Sequence, residues 1–254
     1  MAQVSPVALV TGGARRIGRA IVEDLAQHGW AVAIHCNQSK DDAHALAARI
    51  NGAGGRAAVV LGDFADPAAP ERVVADAAQA LGPLTLLVNN ASIFENDAVG
   101  TLSVPLWNRQ LSVNLRAPVF LAQALAAQLP EGVEGNVVNL LDQRIWRPTP
   151  RYYSYQISKS ALLTATETLA QALAPRIRVN GIAPGPTLPN VRQSPERYQR
   201  QVDAILLRRA PELAEFGRTV RYLVETRSIT GQVIALDGGQ RLGWRTPDVA
   251  ELDE

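Results

Sequence analysis

The 254-residue sequence contains one cysteine, Cys36, and three histidines. A single cysteine excludes both an internal disulfide and a cysteine-rich zinc site. His35 and His44 are not spaced like metal ligands with any partner in the sequence. We therefore predict no metal.

The sequence also lacks an excess of charge and any long apolar run. The net charge is +1, which gives no electrostatic reason to expect nucleic acid or an anionic membrane as a partner. No apolar run reaches the roughly 18 residues that a membrane span requires. The first predicted strand begins at residue 7, which leaves no room for a signal peptide. We expect no nucleic-acid partner, no membrane association and a cytoplasmic location.

Short apolar runs alternate with helical patterns along the whole chain. Strands are predicted at 7–11, 31–36, 57–62, 84–89, 136–141, 178–183 and 232–236. Helices are predicted at 18–28, 41–50, 68–81, 104–129, 153–173, 195–208 and 212–226. Apolar rather than alternating strands are typical of parallel sheets covered on both faces. The pattern predicts an α/β fold: one Rossmann-type domain over residues 1–254, with a doubly wound parallel sheet of about seven strands and helices on both faces.

The first predicted strand runs into a turn that contains glycines, and the turn opens a helix. The turn reads Thr11-Gly12-Gly13-Ala14-Arg15-Arg16-Ile17-Gly18. Glycines allow the backbone to approach a pyrophosphate, and the helix N-terminus offers free N–H groups to it. The strand, turn and helix together indicate a dinucleotide site, with an ordinary tight turn as the alternative.

Tyr155 and Lys159 are four residues apart on the predicted helix 153–173, and Asp142 lies thirteen residues before Tyr155. Residues i and i+4 share one helix face, so we expect the phenol and the ammonium group to lie on the same side. A nearby cation lowers the pKa of a tyrosine. Such a tyrosine can exchange the proton that accompanies a hydride transfer.

These motifs resemble those of the short-chain dehydrogenase/reductases over nearly the whole chain. The matching residues are Thr11, Gly12, Gly18, Asn89, Asn90, Ala91, Asn114, Tyr155, Lys159, Pro184 and Gly185. The resemblance implies that Tyr155 is the acid/base and that Lys159 binds the nicotinamide ribose while lowering the Tyr155 pKa. It also implies that Asn114 anchors a water in a proton relay and that Asn90 lies beside the adenosine side of the cofactor.

Two departures from the usual family pattern narrow the resemblance. Arg16 replaces a glycine of the turn, and Asp142 replaces the usual catalytic serine. Both occur together in the pteridine reductases, which this chain also resembles at His35, Ser39, Ser92, Phe94 and the run Asp237-Gly238-Gly239. This resemblance implies a reductase of dihydropterins, with biopterin, dihydromonapterin or dihydrofolate as the substrate.

The chemistry of Asp142 agrees with that implication. A serine hydroxyl can donate a hydrogen bond to a carbonyl oxygen, whereas an ionised aspartate cannot donate. Asp142 therefore argues against a simple ketone and suits a C=N bond whose nitrogen needs a proton, with Asp142 and Tyr155 acting as a coupled pair. The alternative is an exposed aspartate that caps a loop.

Two further side chains are candidates for the substrate site. Phe94 offers an aromatic face parallel to the nicotinamide, so that a flat pterin could lie between the two rings. Arg16 could pair with a cofactor phosphate and with an electron-rich pterin edge. The alternatives are that Phe94 packs under a loop and that Arg16 is a surface residue.

The end of the second strand indicates the cofactor. Sites for a cofactor without a 2′-phosphate usually carry an acid there, and the run from His35 to Lys40 has none. Arg16, Asn37 and Ser39 could receive the phosphate instead, so we predict NADPH.

The complete predicted cofactor set is Thr11, Gly12, Arg15, Arg16, Ile17, Gly18, His35, Asn37, Ser39, Asp63, Phe64, Asn90, Ala91, Ser92, Tyr155, Lys159, Pro184 and Gly185. The predicted catalytic residues are Asp142, Tyr155, Lys159 and Asn114, and the predicted substrate-binding residues are Arg16, Ser92, Phe94, Asp142 and Tyr155.

The remaining expectations concern a lid and assembly. The proline-containing segment 184–208 suits a loop and helix that cover the substrate. Helices 104–129 and 153–173 have long apolar faces, and relatives use these helices to form tetramers, so we expect a homotetramer. The apolar residues are Leu115, Val119, Leu121, Leu125, Leu162, Leu163 and Leu169.

Two other functions remain open from the sequence. The chain could be a carbonyl reductase of the same family that acts on a ketone or a 3-oxoacyl thioester. It could also be a non-catalytic protein that binds NADPH and has kept the fold.

Overall fold

The computed structural model describes residues 6–189 and 193–244 and contains a seven-stranded parallel sheet. The strands are β1 (Val7–Val10), β2 (Ala31–Cys36), β3 (Arg56–Leu61), β4 (Leu86–Asn89), β5 (Gly135–Leu140), β6 (Ile177–Pro184) and β7 (Val233–Leu236). Their order in the sheet is β3-β2-β1-β4-β5-β6-β7. The predicted Rossmann-type sheet of seven strands is confirmed.

Helices cover both faces of this sheet. They are α1 (Arg16–Gln27), α2 (Lys40–Gly52), α3 (Ala69–Leu81), α4 (Val104–Leu111), α5 (Ala117–Gln128), α6 (Tyr153–Leu173), α7 (Pro195–Asp203) and α8 (Leu213–Glu225). Alternate side chains of each strand enter two separate apolar clusters, one on each face of the sheet: Leu9 packs in one and Val10 in the other. Burial on both faces explains why the strands read as apolar runs.

The strand order reverses between β1 and β4, which lie side by side at the centre of the sheet. Ala8 is paired with Leu86 and Val10 with Val88. In open sheets of this kind, ligands bind beyond the carboxyl ends of the strands where the order reverses. The turns after Val10 and Asn89 therefore meet at the expected ligand site.

Two predicted helices differ from the observed ones. The helix predicted at 104–129 is interrupted between α4 and α5 by a π-helical segment, Ser112–Arg116. Pro118 has no N–H to donate to the carbonyl of Asn114 four residues earlier, and the helix widens there. The helix predicted at 195–208 ends at Asp203, because the chain beyond it bonds elsewhere: the N–H of Leu207 donates to the carbonyl of Gly238 at 3.0 Å.

The apolar faces assigned to assembly are partly internal. Leu121, Leu125 and Leu162 are buried within the core of their own chain, so they are not available to a second subunit as predicted. Phe120, which the prediction omits, is 47% exposed.

No helix in the described part of the chain is long and apolar enough to cross a membrane. Within residues 6–189 and 193–244, no group of three or more histidine, cysteine, aspartate or glutamate side chains could hold a metal ion.

Candidate active site

Asp142 and Tyr155 are joined by a hydrogen bond. Asp142 follows β5 and Tyr155 lies in the first turn of α6, and the phenol hydroxyl donates to Oδ2 of Asp142 at 2.9 Å. The other carboxylate oxygen, Oδ1, accepts from the main-chain N–H of Arg144 at 2.9 Å and so caps the 3₁₀ turn Gln143–Ile145. Asp142 therefore caps the turn and also holds the Tyr155 hydroxyl, but it is half-buried and not the exposed aspartate of the alternative prediction.

The pKa of Tyr155 is raised well above its usual value, mainly by burial and then by the charge and hydrogen bond of Asp142. The prediction that Lys159 lowers this pKa is wrong for this structure. The Lys159 ammonium donates to the carbonyl of Leu140 at 2.7 Å and lies 5.8 Å from the centroid of the Tyr155 ring. Burial lowers the pKa of Lys159 to about 8, while Asp142 opposes that shift.

Asn114 lies in the π-helical segment and is fully buried. Its amide donates to the carbonyl of Ile93 at 2.9 Å and to the hydroxyl of Ser158 at 3.1 Å. Its Oδ1 accepts from the N–H of Ile93 at 2.8 Å and from the hydroxyl of Ser92 at 3.2 Å. The side chain has no hydrogen-bonding capacity left for the predicted water, which leaves the main-chain carbonyl as the group that could hold one.

The glycine turn packs directly against the strand ends, as a dinucleotide site requires. Gly12 has φ +60°, and a Cβ on Gly18 would overlap the carbonyl oxygen of Gly12 and lie 2.5 Å from Nδ2 of Asn90. Asn90 holds the turn by donating to the carbonyl of Thr11 at 2.8 Å. The Thr11 hydroxyl accepts from the N–H groups of Asn90 and Ala91, both at 2.9 Å. Only glycine fits where the turn and its helix come this close.

His35 also supports the glycine turn. Its Nδ1 accepts from the N–H of Gly12 at 3.2 Å, and its Nε2 lies 3.1 Å from the carbonyl of Gly62. The ring stacks on Phe64 with centroids 4.3 Å apart. Burial lowers the pKa of His35 to about 4, against the effects of Gly62 and Asp63. A neutral His35 is therefore part of the scaffold that shapes the turn.

A groove of about 300 Å³ continues from the turn along the ends of β2 and β3. The predicted cofactor residues that line it are Gly12, Arg15, His35, Asn37, Ser39, Asp63, Phe64, Ala91 and Ser92. The close approach of Gly12 and Gly18 and the polar ends of β2 fit a phosphate-bearing dinucleotide. Arg15, paired with Asp42 at 2.5 Å, lines this groove. Arg16 does not, which corrects its predicted place beside Asn37 and Ser39.

A second cavity, of about 540 Å³, adjoins the groove at Ser92, which lines both. The predicted residues brought together here are Arg16, Ile17, Asn90, Ser92, Phe94, Asp142, Tyr155, Lys159, Pro184 and Gly185. Because it contains the Tyr155–Asp142 pair, we call it the substrate cavity. A cavity of about 620 Å³ at the amino end of β2 contains none of these residues.

Phe94 lies in the substrate cavity, but one of its faces is already covered. Tyr152 stacks on it with the ring centroids 4.2 Å apart and the planes 9° apart. Phe94 also meets Tyr155 edge-on at 4.7 Å. The predicted sandwich with a flat substrate can therefore use at most one face of Phe94.

Arg16 has φ 54° and connects the glycine turn to the loop after β6. Its guanidinium donates to the carbonyls of Leu188 and Pro189, at 3.3 and 3.0 Å. Residues 190–192 of the predicted covering segment lie outside the described part of the chain. From the described part, Gln193, Arg197 and Gln201 line the substrate cavity beside this loop.

Three further residues contribute to the site. Arg144 and Tyr152 line the substrate cavity, and their only signal in the sequence is their closeness to Asp142 and Tyr155. Asp97 is buried and anchors the start of α6: its carboxylate accepts from both the N–H and the hydroxyl of Ser154. The bonds fix the helix turn that carries Tyr155, and the sequence carries no signal for Asp97.

Comparisons with known proteins identify the family of this chain. The family described as short chain dehydrogenase matches residues 6–199. Among curated proteins, a short-chain type dehydrogenase/reductase of Picea abies is 30% identical over 248 residues, covering 92% of each chain.

Two solved structures are more similar to this chain in sequence than that curated relative is. FolM alternative dihydrofolate reductase 1 from Brucella canis, complexed with NADP, is 59% identical with a TM-score of 0.94, and the alignment covers 96% of this chain and 97% of that one. The corresponding protein from Brucella suis, also in complex with NADP, is 58% identical with a TM-score of 0.91, over 96% and 98% of the two chains.

Proposed function

Since the chain belongs to the short-chain dehydrogenase/reductase family, we propose that it is an NADPH-dependent reductase of dihydropterins, including dihydrofolate. The observation that carries this proposal is the hydrogen bond from the Tyr155 hydroxyl to Asp142 at 2.9 Å. This bond places one proton donor, the Tyr155 hydroxyl, beside the cavity in which the substrate would bind. Position 142 supplies no second hydroxyl. The similarity to two proteins described as dihydrofolate reductases supports the same substrate class.

The cofactor is NADPH, which supplies the hydride when bound. The glycine turn would hold its phosphates, because Gly12 and Gly18 leave room for them and the start of α1 offers free N–H groups. Arg15, Asn37 and Ser39 would hold the phosphate on the adenosine ribose, at the groove's far end. Lys159 would bind the nicotinamide ribose where the groove meets the substrate cavity.

Tyr155 would give the substrate its proton. Reduction of a C=N bond adds a hydride to carbon and a proton to nitrogen, so that a dihydropterin becomes a tetrahydropterin. The raised pKa of Tyr155 keeps its hydroxyl protonated at neutral pH, which suits a proton donor and not a base. Asp142 would stabilise the donor's orientation and pass on the replacement proton.

The same arrangement is poorly suited to a ketone. A carbonyl substrate gains from two donors at its oxygen, as the usual serine and tyrosine provide. Both oxygens of Asp142 accept hydrogen bonds here, from Tyr155 and from the main chain of Arg144, so the aspartate adds no donor. A ring nitrogen needs only the proton of Tyr155.

Assembly and location complete the proposal. A homotetramer would cover the exposed Phe120 and Ile157 together with the partly exposed Leu115, Val119 and Leu163 of α5, the π segment and α6. The loop after β6 and α7 would cover bound substrate. A cytoplasmic location stays a prediction of the sequence.

The experiment that tests the function is a comparison of NADPH oxidation with several acceptors. We expect turnover of 7,8-dihydrobiopterin and dihydrofolate, and little turnover of a diketone or a 3-oxoacyl thioester at the same concentrations. Preference for the carbonyl compounds would contradict the proposal and assign a carbonyl reductase. No NADPH oxidation with any acceptor would favour a non-catalytic binding protein.

A further inference from the structure

Arg144 lies beside the Tyr155–Asp142 pair, and part of its guanidinium group is unused. Its Nη1 atom is buried and has no hydrogen-bond partner among residues 6–189 and 193–244. A buried N–H without an acceptor costs free energy, and the cost is larger for a charged group. An acceptor supplied by a bound molecule would remove that cost, and Arg144 lines the substrate cavity.

Two aromatic rings fix the position of this guanidinium. Its Cζ lies 5.1 Å from the centroid of Phe94 and 5.2 Å from that of Tyr152. Contact with the two stacked rings restricts the orientation of this long side chain. Phe94 also packs against Tyr155, with the two ring centroids 4.7 Å apart. The guanidinium therefore lies in the part of the cavity where Tyr155 would transfer its proton.

The charge of the substrate cavity favours an oxygen-bearing ligand. In the described part of its lining, five side chains are cationic and one is a carboxylate: Arg16, Arg144, Arg151, Lys159 and Arg197 against Asp142. Asp142 already accepts two hydrogen bonds from the protein. Among the charged groups of the cavity, donors therefore outnumber acceptors.

We propose that Arg144 is a substrate-binding residue that donates from Nη1 to an oxygen atom of the substrate close to the bond that is reduced. This inference rests on the proposed function, in which the substrate is a dihydropterin. Two oxygens of that chemical class meet the requirement. One is the carbonyl of the pterin ring, and the other is a hydroxyl on the first carbon of the side chain beside the reduced bond, as in dihydrobiopterin.

The test compares wild type with Arg144→Gln and Arg144→Lys on two substrates at saturating NADPH. The substrates are 6-methyl-7,8-dihydropterin, whose only oxygen is the ring carbonyl, and 7,8-dihydrobiopterin, which adds side-chain hydroxyls next to the reduced bond. We expect Arg144→Gln to raise KM about ten- to hundredfold while kcat changes by less than about threefold. Arg144→Lys keeps the charge but loses the planar guanidinium group. We expect its KM to lie between those of wild type and Arg144→Gln. A higher KM for both substrates assigns the ring carbonyl, and a higher KM for 7,8-dihydrobiopterin alone assigns the side-chain hydroxyl.

Arg147→Gln is the matched control. Arg147 is three residues from Arg144, does not line the cavity and donates to the main-chain carbonyl of Gln240 at 3.1 Å. We expect its KM values to equal those of wild type. KM values of Arg144→Gln within twofold of wild type on both substrates would overturn the inference. So would a parallel loss of NADPH affinity and thermal stability, since that would indicate a structural role. If wild type reduced neither substrate, the proposed function would fail instead.

Discussion

The Tyr155 hydroxyl donates to one oxygen of Asp142 at 2.9 Å, and the main-chain N–H of Arg144 donates to the other at the same distance. The carboxylate is thus held in place by the loop after β5 while it orients the phenol at the start of α6. Burial and the negative charge of Asp142 both raise the pKa of Tyr155. The tyrosine therefore holds its proton at neutral pH, and in the proposed function it would give this proton to the nitrogen of the substrate's C=N bond.

Tyr155→Phe should abolish most of the turnover and leave NADPH binding largely unchanged. Removal of a general acid typically lowers rates about 10²- to 10⁴-fold. The ring stays, so its edge contact with Phe94 should persist. Single-turnover NADPH oxidation and a fluorescence titration of NADPH measure the two quantities. A variant that lost NADPH affinity to the same extent would mean that Tyr155 acts mainly in binding.

Gly18→Ala should weaken NADPH binding strongly. The added Cβ would overlap the carbonyl of Gly12 and come within 2.5 Å of Nδ2 of Asn90, so the turn that holds the phosphates would have to move. Gly52→Ala is the control, because a Cβ there meets nothing within 4 Å and the residue lies in α2. Calorimetric titration with NADPH should separate the two variants. Equal affinities would show that the turn does not hold the cofactor.

His35 should make the protein less stable as the pH falls from about 6.5 towards 4. Burial lowers the pKa of the folded protein's His35 to about 4, whereas the unfolded chain binds the proton near 6.5. Between these values the unfolded state holds more protons, so the free energy of unfolding decreases with falling pH, by up to about 3 kcal/mol. Below about pH 4 both states are protonated and this contribution stops changing.

The measurement is urea unfolding of wild type and His35→Asn at pH 7 and pH 4.5. The variant keeps every carboxylate of wild type, so the difference between the two proteins reports the effect of His35. We expect wild type to lose more stability than the variant over this interval. The same pH dependence in both proteins would show that His35 is not the group responsible.

The sheet could be predicted from the sequence because burial on both faces leaves a simple pattern. The second strand is observed at Ala31–Cys36, as the apolar run 31–36 predicts. The break in helix 104–129 was harder to predict, since it depends on a single proline, Pro118, whose effect can be a kink, an end or a widened turn.

The site was predictable only as far as spacing along the chain determines it. The resemblance to the short-chain dehydrogenase/reductases implies that the residue thirteen positions before the tyrosine lies beside it, and a hydrogen bond does join Asp142 and Tyr155. The direction of a long side chain is not set by spacing. Lys159 turns to the carbonyl of Leu140 instead of approaching the phenol, and Tyr152 covers Phe94, because packing between distant elements decides both.

The most direct test of the central claim is the substrate preference of Asp142→Ser. If Asp142 adapts the site to a C=N bond, the usual serine at this position should lower kcat/KM for 7,8-dihydrobiopterin at least about tenfold. The reason is that no aspartate then orients the Tyr155 hydroxyl or returns a proton to it. The same variant should gain activity on a diketone, because a serine hydroxyl can donate to a carbonyl oxygen. Unchanged pterin reduction together with no gain on the diketone would contradict the account.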